Sequence, residues 1–449
     1  MNAPLNIVII GGIAAGMSVA AKARREDPHA NITVIEKENY ISFGACGLPY
    51  YVGGQFEDPS FMFARTPKQI EESGIQLLLE TEAIQIQFDE KIVEVRSINT
   101  HEVSHIPYDR LMIATGASPN ELNVAGMSAE NLYRHTKLRD AEALKQSLHE
   151  YKSITVIGGG FIGVEIAEQL AALGKKVTII QGGAHVMQGP FDEEFSELIE
   201  NSLQKEKINV LLGEVVTGFK IVNDKITKVM TTDEHLATDA VIMAIGFQPN
   251  TAFITDPRLE KLPNGAIVIN QYGETSIPDV FSAGDCASVP HRQLGNRYIP
   301  LATYANKLGR IIGHNIVSDQ QNYLSFPGAL GSSLLKVGRY EAGSTGLTEN
   351  MAKNAGIPYQ TTLIKTQNHT NYYKGQATLT IKLLYSPESK VLLGAQIFGR
   401  KGAALRLHSF SIAIHAGITT DELGLIDLGY APPFTTTWDA INIAANTAK

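Results

Sequence analysis

Cysteine is nearly absent. The 449 residues carry two, Cys46 and Cys286. Two thiols so far apart make no disulfide framework, and a reducing cytoplasm is the expected compartment. Long apolar runs are missing as well. None reaches the roughly 18 residues that a bilayer-crossing helix needs, so no membrane span is expected. The first residues, Met-Asn-Ala-Pro-Leu-Asn, place no basic segment ahead of an apolar one, so no secretory leader is expected. Positive charge is the minority sign, with 38 Lys and Arg against 46 Asp and Glu and a net charge of -8. That balance argues against a general nucleic-acid or anionic-membrane binder. What remains is ordinary for a globular chain of two or three domains: 44% hydrophobic and 19% charged residues. The 40 glycines are enough for several tight βα turns.

The glycines fall where such turns are needed. Ile7 to Ile10 is an apolar strand that runs into Gly11-Gly12-Ile13-Ala14-Ala15-Gly16, then a small-residue helix to about Arg25. A second strand, Ile32 to Ile35, ends at Glu36. Strand, glycine turn, helix, strand and terminal acid is the order of a dinucleotide-binding βαβ unit. The turn would bring a pyrophosphate to the helix N-terminus, and the acid would hold a ribose. Ile13 stands where the middle glycine is usual, so this turn alone could be an ordinary βαβ connection. The pattern then repeats. Ile154 to Ile157 leads into Gly158-Gly159-Gly160-Phe161-Ile162-Gly163, a full G-x-G-x-x-G, followed by a helix from Val164 to Leu173 and a strand from Lys176 to Ile180. Two units imply two nucleotides. The terminal acid of the second is replaced by Gln181. Nothing local repels a 2′-phosphate, no arginine follows to bind one, and the choice between NADH and NADPH stays open.

Other segments complete the outline. Ile84 to Val95 alternates as β structure, and Leu111 to Ala114 is a buried strand followed by Thr115-Gly116-Ala117-Ser118-Pro119. Val241 to Ile245 ends in a similar turn at Gly246, and Val280 to Ala283 runs into Gly284-Asp285-Cys286, where the aspartate suits a ribityl hydroxyl. Cys286 reads as a small buried apolar residue. From about Leu324 the nucleotide motifs stop. Strands at Leu334 to Val337, Thr378 to Leu384 and Val391 to Phe398, with a helix at Ala403 to Ala416, suggest an α+β terminal domain.

One cysteine sits in a reactive setting. Gly44 and Gly47 flank Cys46, so the backbone can turn tightly and another group can approach the sulfur. Pro49 suits the first turn of a short helix whose free N–H groups favour a thiolate. Ser18, Lys22 and Arg25 share one face of the first helix. They are either a solvated face or a phosphate-binding one.

Taken together, Ser42-Phe43-Gly44-Ala45-Cys46-Gly47-Leu48-Pro49-Tyr50, the two glycine turns, His369-Thr370-Asn371-Tyr372-Tyr373 and Tyr430-Ala431-Pro432-Pro433 resemble the flavin- and pyridine-nucleotide-dependent disulfide reductases, in their single-cysteine branch. That branch includes coenzyme A disulfide reductases, coenzyme A persulfide reductases, NADH oxidases and NADH peroxidases. Two-cysteine members carry a C-x4-C pair, absent here because Ile41 and Tyr51 occupy the flanking positions. The oxidases place a histidine in the first glycine turn; here that residue is Ala14, as in the coenzyme A disulfide reductases.

The resemblance implies an α/β fold with two Rossmann-like dinucleotide-binding domains, for FAD and NAD(P), and a C-terminal α+β dimerisation domain. The FAD domain would be discontinuous (1–118 and 247–323), with the NAD(P) domain at 119–246 and the dimerisation domain at 324–449. It implies a homodimer acting on a small-molecule thiol or disulfide. The FAD contacts would be Gly11, Gly12, Ala14, Gly16, Glu36, Lys37, Ser42, Ala83, Thr115, Gly116, Gly284, Asp285 and Ala302. Those for NADH or NADPH would be Gly158, Gly160, Phe161, Ile162, Gly163, Glu165, Gln181 and Gly246. Coenzyme A would meet Ser18, Lys22, Arg25, Ser42 and Asn306. Electrons would pass from NAD(P)H through FAD to Cys46, whose thiolate attacks a coenzyme A disulfide or persulfide. Tyr372 and Tyr430 of the second subunit would stabilise the departing sulfur, with Tyr373 as the fallback. A lysine that contacts substrate phosphate in some of these reductases falls here on Trp438. Two alternatives stand beside this reading: an NADH oxidase working through a Cys46 sulfenic acid, and a redox-sensing or electron-transfer module.

Overall fold

The computed structural model describes residues 3–449; Met1 and Asn2, the start of the segment read for a leader, lie outside it. The chain forms two compact units. The first comprises the chain up to Gly47, Phe56–Pro119 and Phe247–Ala329; the second comprises Leu48–Gln55, Asn120–Gly246 and Leu330–Lys449.

The first unit is built on a five-stranded parallel sheet. Its order is Val280–Ser282, Arg110–Ile113, Asn6–Ile10, Asn31–Ile35, Gln76–Leu78. Strands buried on both faces must be apolar throughout, and Ile7, Val8, Ile9 and Ile10 are. The helix Ala14–Glu26 follows the first strand. It packs closely against the helix Ala302–Asn315 because Gly309 and Gly313 leave no side chain in the way. A Cβ on Gly309 would lie 2.7 Å from the Ser18 Cβ, and one on Gly313 would lie 2.6 Å from the Lys22 Cβ. An antiparallel sheet of Thr81–Gln87, Ile92–Ser97 and Val103–Pro107 completes the alternating β region.

The second unit repeats the parallel plan and adds an antiparallel one. Its parallel sheet runs Asn209–Leu212, Lys176–Gln181, Ser153–Ile157, Ala240–Met243, Leu132–Tyr133. The second glycine-turn helix spans Phe161–Ala172 and so begins three residues before the predicted Val164. The extra turn lies within the glycine motif, which periodicity of apolar residues does not reveal. The terminal sheet is fully antiparallel, in the order Ser333–Val337, Tyr340–Gly346, Leu392–Gly399, Thr378–Tyr385, Gln360–Gln367, with the helix Ala403–Ala416 against it. Leu379, Ile381, Leu383, Ile397, Leu407 and Phe410 form the core between them.

A charged cluster joins two parts of this unit. Lys382, 3% exposed on its strand, faces the carboxylates of Asp192, Glu194 and Glu349. Asp192 also accepts from the Gln396 amide at 2.6 Å and from the Glu349 N–H at 3.0 Å. Among the described residues no helix is long and apolar enough to cross a membrane, and no cluster of side chains has metal-ligand geometry.

Candidate active site

The two glycine turns are built alike. Gly11 has φ +108°, and a Cβ there would lie 2.1 Å from the Ala114 carbonyl oxygen; a Cβ on Gly16 would lie 1.8 Å from the Gly11 oxygen. In the second turn, Gly158 also has φ +108°, its Cβ would meet the Ala244 oxygen at 2.2 Å, and a Cβ on Gly163 would meet the Gly158 oxygen at 2.0 Å. These four glycines are demanded by the backbone. The terminal residues match too. Glu36, 6% exposed, accepts from the Gly12 N–H at 2.6 Å, and Gln181 accepts from the Gly159 N–H at 2.9 Å.

Both turns fit a pyrophosphate. Neither Ile13 nor Gly160 caps its helix with a side chain, so first-turn N–H groups of each helix are left to a ligand. Gly160 has nothing within 4 Å of where a Cβ would stand. The fold does not need a glycine there, but a closely approaching phosphate would. The second turn opens on a cleft of about 460 Å³, lined among others by Gly159, Gly160, Phe161, Gln181, Gly246 and Glu214. Glu214 was not singled out from the sequence. It lies far along the chain, and only the parallel pairing of Lys176–Gln181 with Asn209–Leu212 brings it to the tip of that sheet.

The first turn gathers further predicted cofactor residues. Lys37 pairs with Glu82 at 2.7 Å, beside Ala83. Thr115 and Gly116 are clasped by Asn250. The Thr115 hydroxyl donates to its carbonyl at 2.8 Å, and its own N–H donates to the Gly116 oxygen at 2.9 Å. The turn Gly284-Asp285 places a carboxyl that burial pushes above its ordinary range. Cys286 is fully buried, with its Sγ 3.5 Å from the carbonyl oxygens of Ile113 and Ala283. Burial raises its thiol pKa, in keeping with a packing role.

Cys46 is exposed, in the short 3₁₀ turn Ala45–Gly47 that runs straight into the helix Leu48–Val52. Its loop is fastened to the first glycine turn. The Ser42 N–H donates to the Gly12 oxygen at 2.9 Å, and a Cβ on Gly12 would lie 2.9 Å from Ile41 Cγ2. Ser42 holds a left-handed backbone, φ +54°, a strained conformation for a non-glycine residue. Neither Gly44 nor Gly47 has positive φ. A Cβ on Gly47 would lie 2.9 Å from the Met62 side chain, and the Gly44 N–H donates to the Met62 oxygen at 2.7 Å.

The helix face of Ser18, Lys22 and Arg25 is partly committed. Ser18 Oγ donates to Asn306 Oδ1 at 2.9 Å, which brings two predicted substrate residues together. Asn306 in turn donates to the Ala302 carbonyl at 3.0 Å. Lys22 is paired with Glu26 on its own helix, and Arg25 is exposed.

In the second unit, Tyr372 and Tyr430 are exposed and share a hydroxyl–hydroxyl hydrogen bond of 2.7 Å. That bond to Tyr372 raises the Tyr430 phenol above its ordinary range. Tyr373 instead sits edge-on to His369. Arg406 pins both tyrosine loops by donating to the carbonyls of Asn368 (2.9 Å) and Phe434 (2.7 Å).

Tyr50 and Glu165 also meet, with the phenol donating to the carboxyl at 3.3 Å. Burial, reinforced by the charge of Glu168 and opposed by the Tyr50 bond, pushes the Glu165 carboxyl up to about 7. A carboxyl raised in the folded state favours the protonated protein, so its share of stability falls as pH rises from about 4.5 towards 7. Glu165→Gln should therefore show a thermal midpoint that gains on the wild type between pH 5 and pH 8. Parallel pH profiles would contradict this assignment of the titration.

Residues 5–309 match the family model for pyridine nucleotide-disulphide oxidoreductases, and residues 333–440 match the model of that family's dimerisation domain. An NAD(P)H coenzyme A polysulfide/persulfide reductase of Pyrococcus horikoshii is 34% identical over 451 residues, covering 100% of this chain and 99% of the relative. An NADH oxidase of Enterococcus faecalis is 30% identical over 446 residues, covering 99% of each. Among solved structures, an NAD-dependent persulfide reductase of A. fulgidus superposes with a TM-score of 0.94 at 33% identity, covering 98% of this chain and 82% of that one.

Proposed function

The chain belongs to the pyridine nucleotide-disulphide oxidoreductase family, and on that footing we propose that it reduces a coenzyme A disulfide or persulfide at Cys46 with electrons from NAD(P)H. The observation that carries the reading is the tie between the Cys46 loop and the first glycine turn, made by the Ser42 N–H and the Gly12 oxygen. An exposed cysteine on a loop whose Ser42 end is tied to a dinucleotide turn suits a relay to an external acceptor.

FAD, when bound, would supply two-electron transfer from a nicotinamide hydride to the S–S bond left at Cys46, which releases the second thiolate and restores the Cys46 thiolate. Gly11, Gly12, Ala14, Gly16 and Glu36 would hold its pyrophosphate and ribose, with Lys37, Ser42, Ala83, Thr115, Gly116, Gly284, Asp285 and Ala302 around the remainder. Gly158, Gly160, Phe161, Ile162, Gly163, Glu165, Gln181 and Gly246 would receive the nicotinamide nucleotide.

The Cys46 thiolate attacks one sulfur of the acceptor. A new S–S bond forms to Cys46, the old S–S bond breaks, and the second sulfur leaves as a thiolate. Tyr372 and Tyr430, supplied by the second subunit of a homodimer, donate hydrogen bonds to that leaving sulfur. Ser18, Lys22, Arg25, Ser42 and Asn306 position the coenzyme A portion. Trp438 is 53% exposed and offers no cation to a phosphate at its position.

Oxygen reduction is the second reading, favoured by the whole-length likeness to NADH oxidases. Ala14 speaks against it, because no histidine stands in the first turn. Oxygen uptake measured alongside NADH consumption separates the two. Coenzyme A disulfide should accelerate NADH consumption at least about 10-fold without matching oxygen uptake. Consumption that equals oxygen uptake and ignores the disulfide would reject the reductase assignment.

A further inference from the structure

We infer that Glu214 is the acidic residue that selects NADH over NADPH. This rests on the reading above that the second glycine-turn cleft takes the nicotinamide nucleotide. In a βαβ unit the adenosine ribose meets the tip of the second strand, and an acid there both accepts from the 2′-hydroxyl and repels a 2′-phosphate. Here that tip is Gln181. It is neutral, and its side-chain oxygen is occupied by the Gly159 N–H at 2.9 Å.

Glu214 supplies what the tip lacks. It lines the same cleft as Gly159 and Gln181, and its own N–H donates to the Gln181 carbonyl at 3.2 Å. Its carboxylate is built in place. It accepts from the Thr232 hydroxyl at 2.9 Å and from the Asp233 N–H at 3.3 Å. Hydrogen bonds from Thr231 and then Thr232 hold it below its usual range, so it is ionised at neutral pH.

Nothing nearby offsets that charge. Among the described residues no lysine or arginine lines the cleft, and the sequence has none between Gly182 and Gly189. The one basic side chain in that stretch, His185, is already bracketed by Glu200 at 3.2 Å and Glu193 at 3.7 Å. A 2′-phosphate at this end of the cleft would lie near the ionised Glu214, with no lysine or arginine among the lining residues to receive it.

Calorimetry on the FAD-loaded protein tests this with ADP-ribose and its 2′-phosphate as probes, beside kcat/KM for NADH and NADPH with ferricyanide. The wild type should bind ADP-ribose at least about 10-fold more tightly than the 2′-phosphorylated probe. Glu214→Gln should narrow that ratio at least about 3-fold, mainly by improving the phosphorylated probe, and Glu214→Arg should narrow it further. Glu214→Gln keeps an acceptor for the Thr232 and Asp233 donors and should stay folded; thermal midpoints measured on both variants separate a loss of fold from a change of preference. A wild type that binds both probes equally, or a Glu214→Gln ratio that does not move, overturns the inference. Failure of both probes to bind a folded, FAD-loaded protein overturns instead the assignment of the cleft to the nucleotide.

Discussion

Cys46→Ser should abolish coenzyme A disulfide reduction, lowering kcat at least about 1000-fold, while the protein still purifies with its flavin. The size of the loss follows from the chemistry. A serine hydroxyl at neutral pH is a far weaker nucleophile towards sulfur than a thiolate, and the S–S exchange has no second cysteine in the loop to fall back on. Retention of flavin follows from the geometry. The Cys46 loop is held by the Ser42 N–H, by the packing of Ile41 on Gly12 and by Gly44 and Gly47 against Met62, and none of these uses the sulfur. Anaerobic turnover with coenzyme A disulfide, read with the flavin absorbance, measures both. More than a tenth of wild-type activity would remove Cys46 from the reaction.

The largest structural effect is expected at Lys382. Lys382→Met deletes the single cation that faces Asp192, Glu194 and Glu349 in a buried site. Breaking a fully buried pair costs about 3–5 kcal/mol, and the cost here falls towards the lower end because Asp192 stays buried while the Glu194 and Glu349 side chains are 37% and 38% exposed. The deficit should depend on pH in a defined direction. Burial raises the Glu349 carboxyl, but its hydrogen bond and attraction to Lys382 outweigh this and leave it lowered overall. Glu349 therefore stabilises the wild type above its ordinary pKa of 4.5 and loses that contribution as pH falls through the lowered value. The variant has no such contribution to lose, so the gap between the two should shrink in acid. Denaturant unfolding at pH 7.5 and at pH values below 4.5 would show it. A difference below about 1 kcal/mol at pH 7.5 would mean that the carboxylates reach water once the lysine is gone.

How much of this was legible in the residues differs from site to site. The parallel sheets were legible because strands such as Ile7 to Ile10 are apolar at every position, and because the glycine turns recur with fixed spacing. The Cys46 loop was legible because a lone cysteine between glycines is rare in so cysteine-poor a chain. The packing of Met62 on Gly47 was not, since it arises only through the fold. Glu214 and Arg406 were missed for the same reason. Each acts on residues remote in sequence, and an isolated Glu or Arg carries no local signature. Lys382 sits in an alternating strand, where a charged residue reads as solvent-facing. Its burial depends on three acids contributed from elsewhere in the chain.

The paired turns also bear on how this chain can evolve. Gly11, Gly16, Gly158 and Gly163 face a backbone carbonyl at distances no side chain tolerates, so drift there is forbidden whatever the enzyme is selected to do. Position 160 and its counterpart Ile13 answer to a looser rule, because open space surrounds Gly160 and its conformation is accessible to any amino acid. Substitutions would therefore be tolerated first at this pair, and changes of ligand preference can accumulate there without endangering the scaffold.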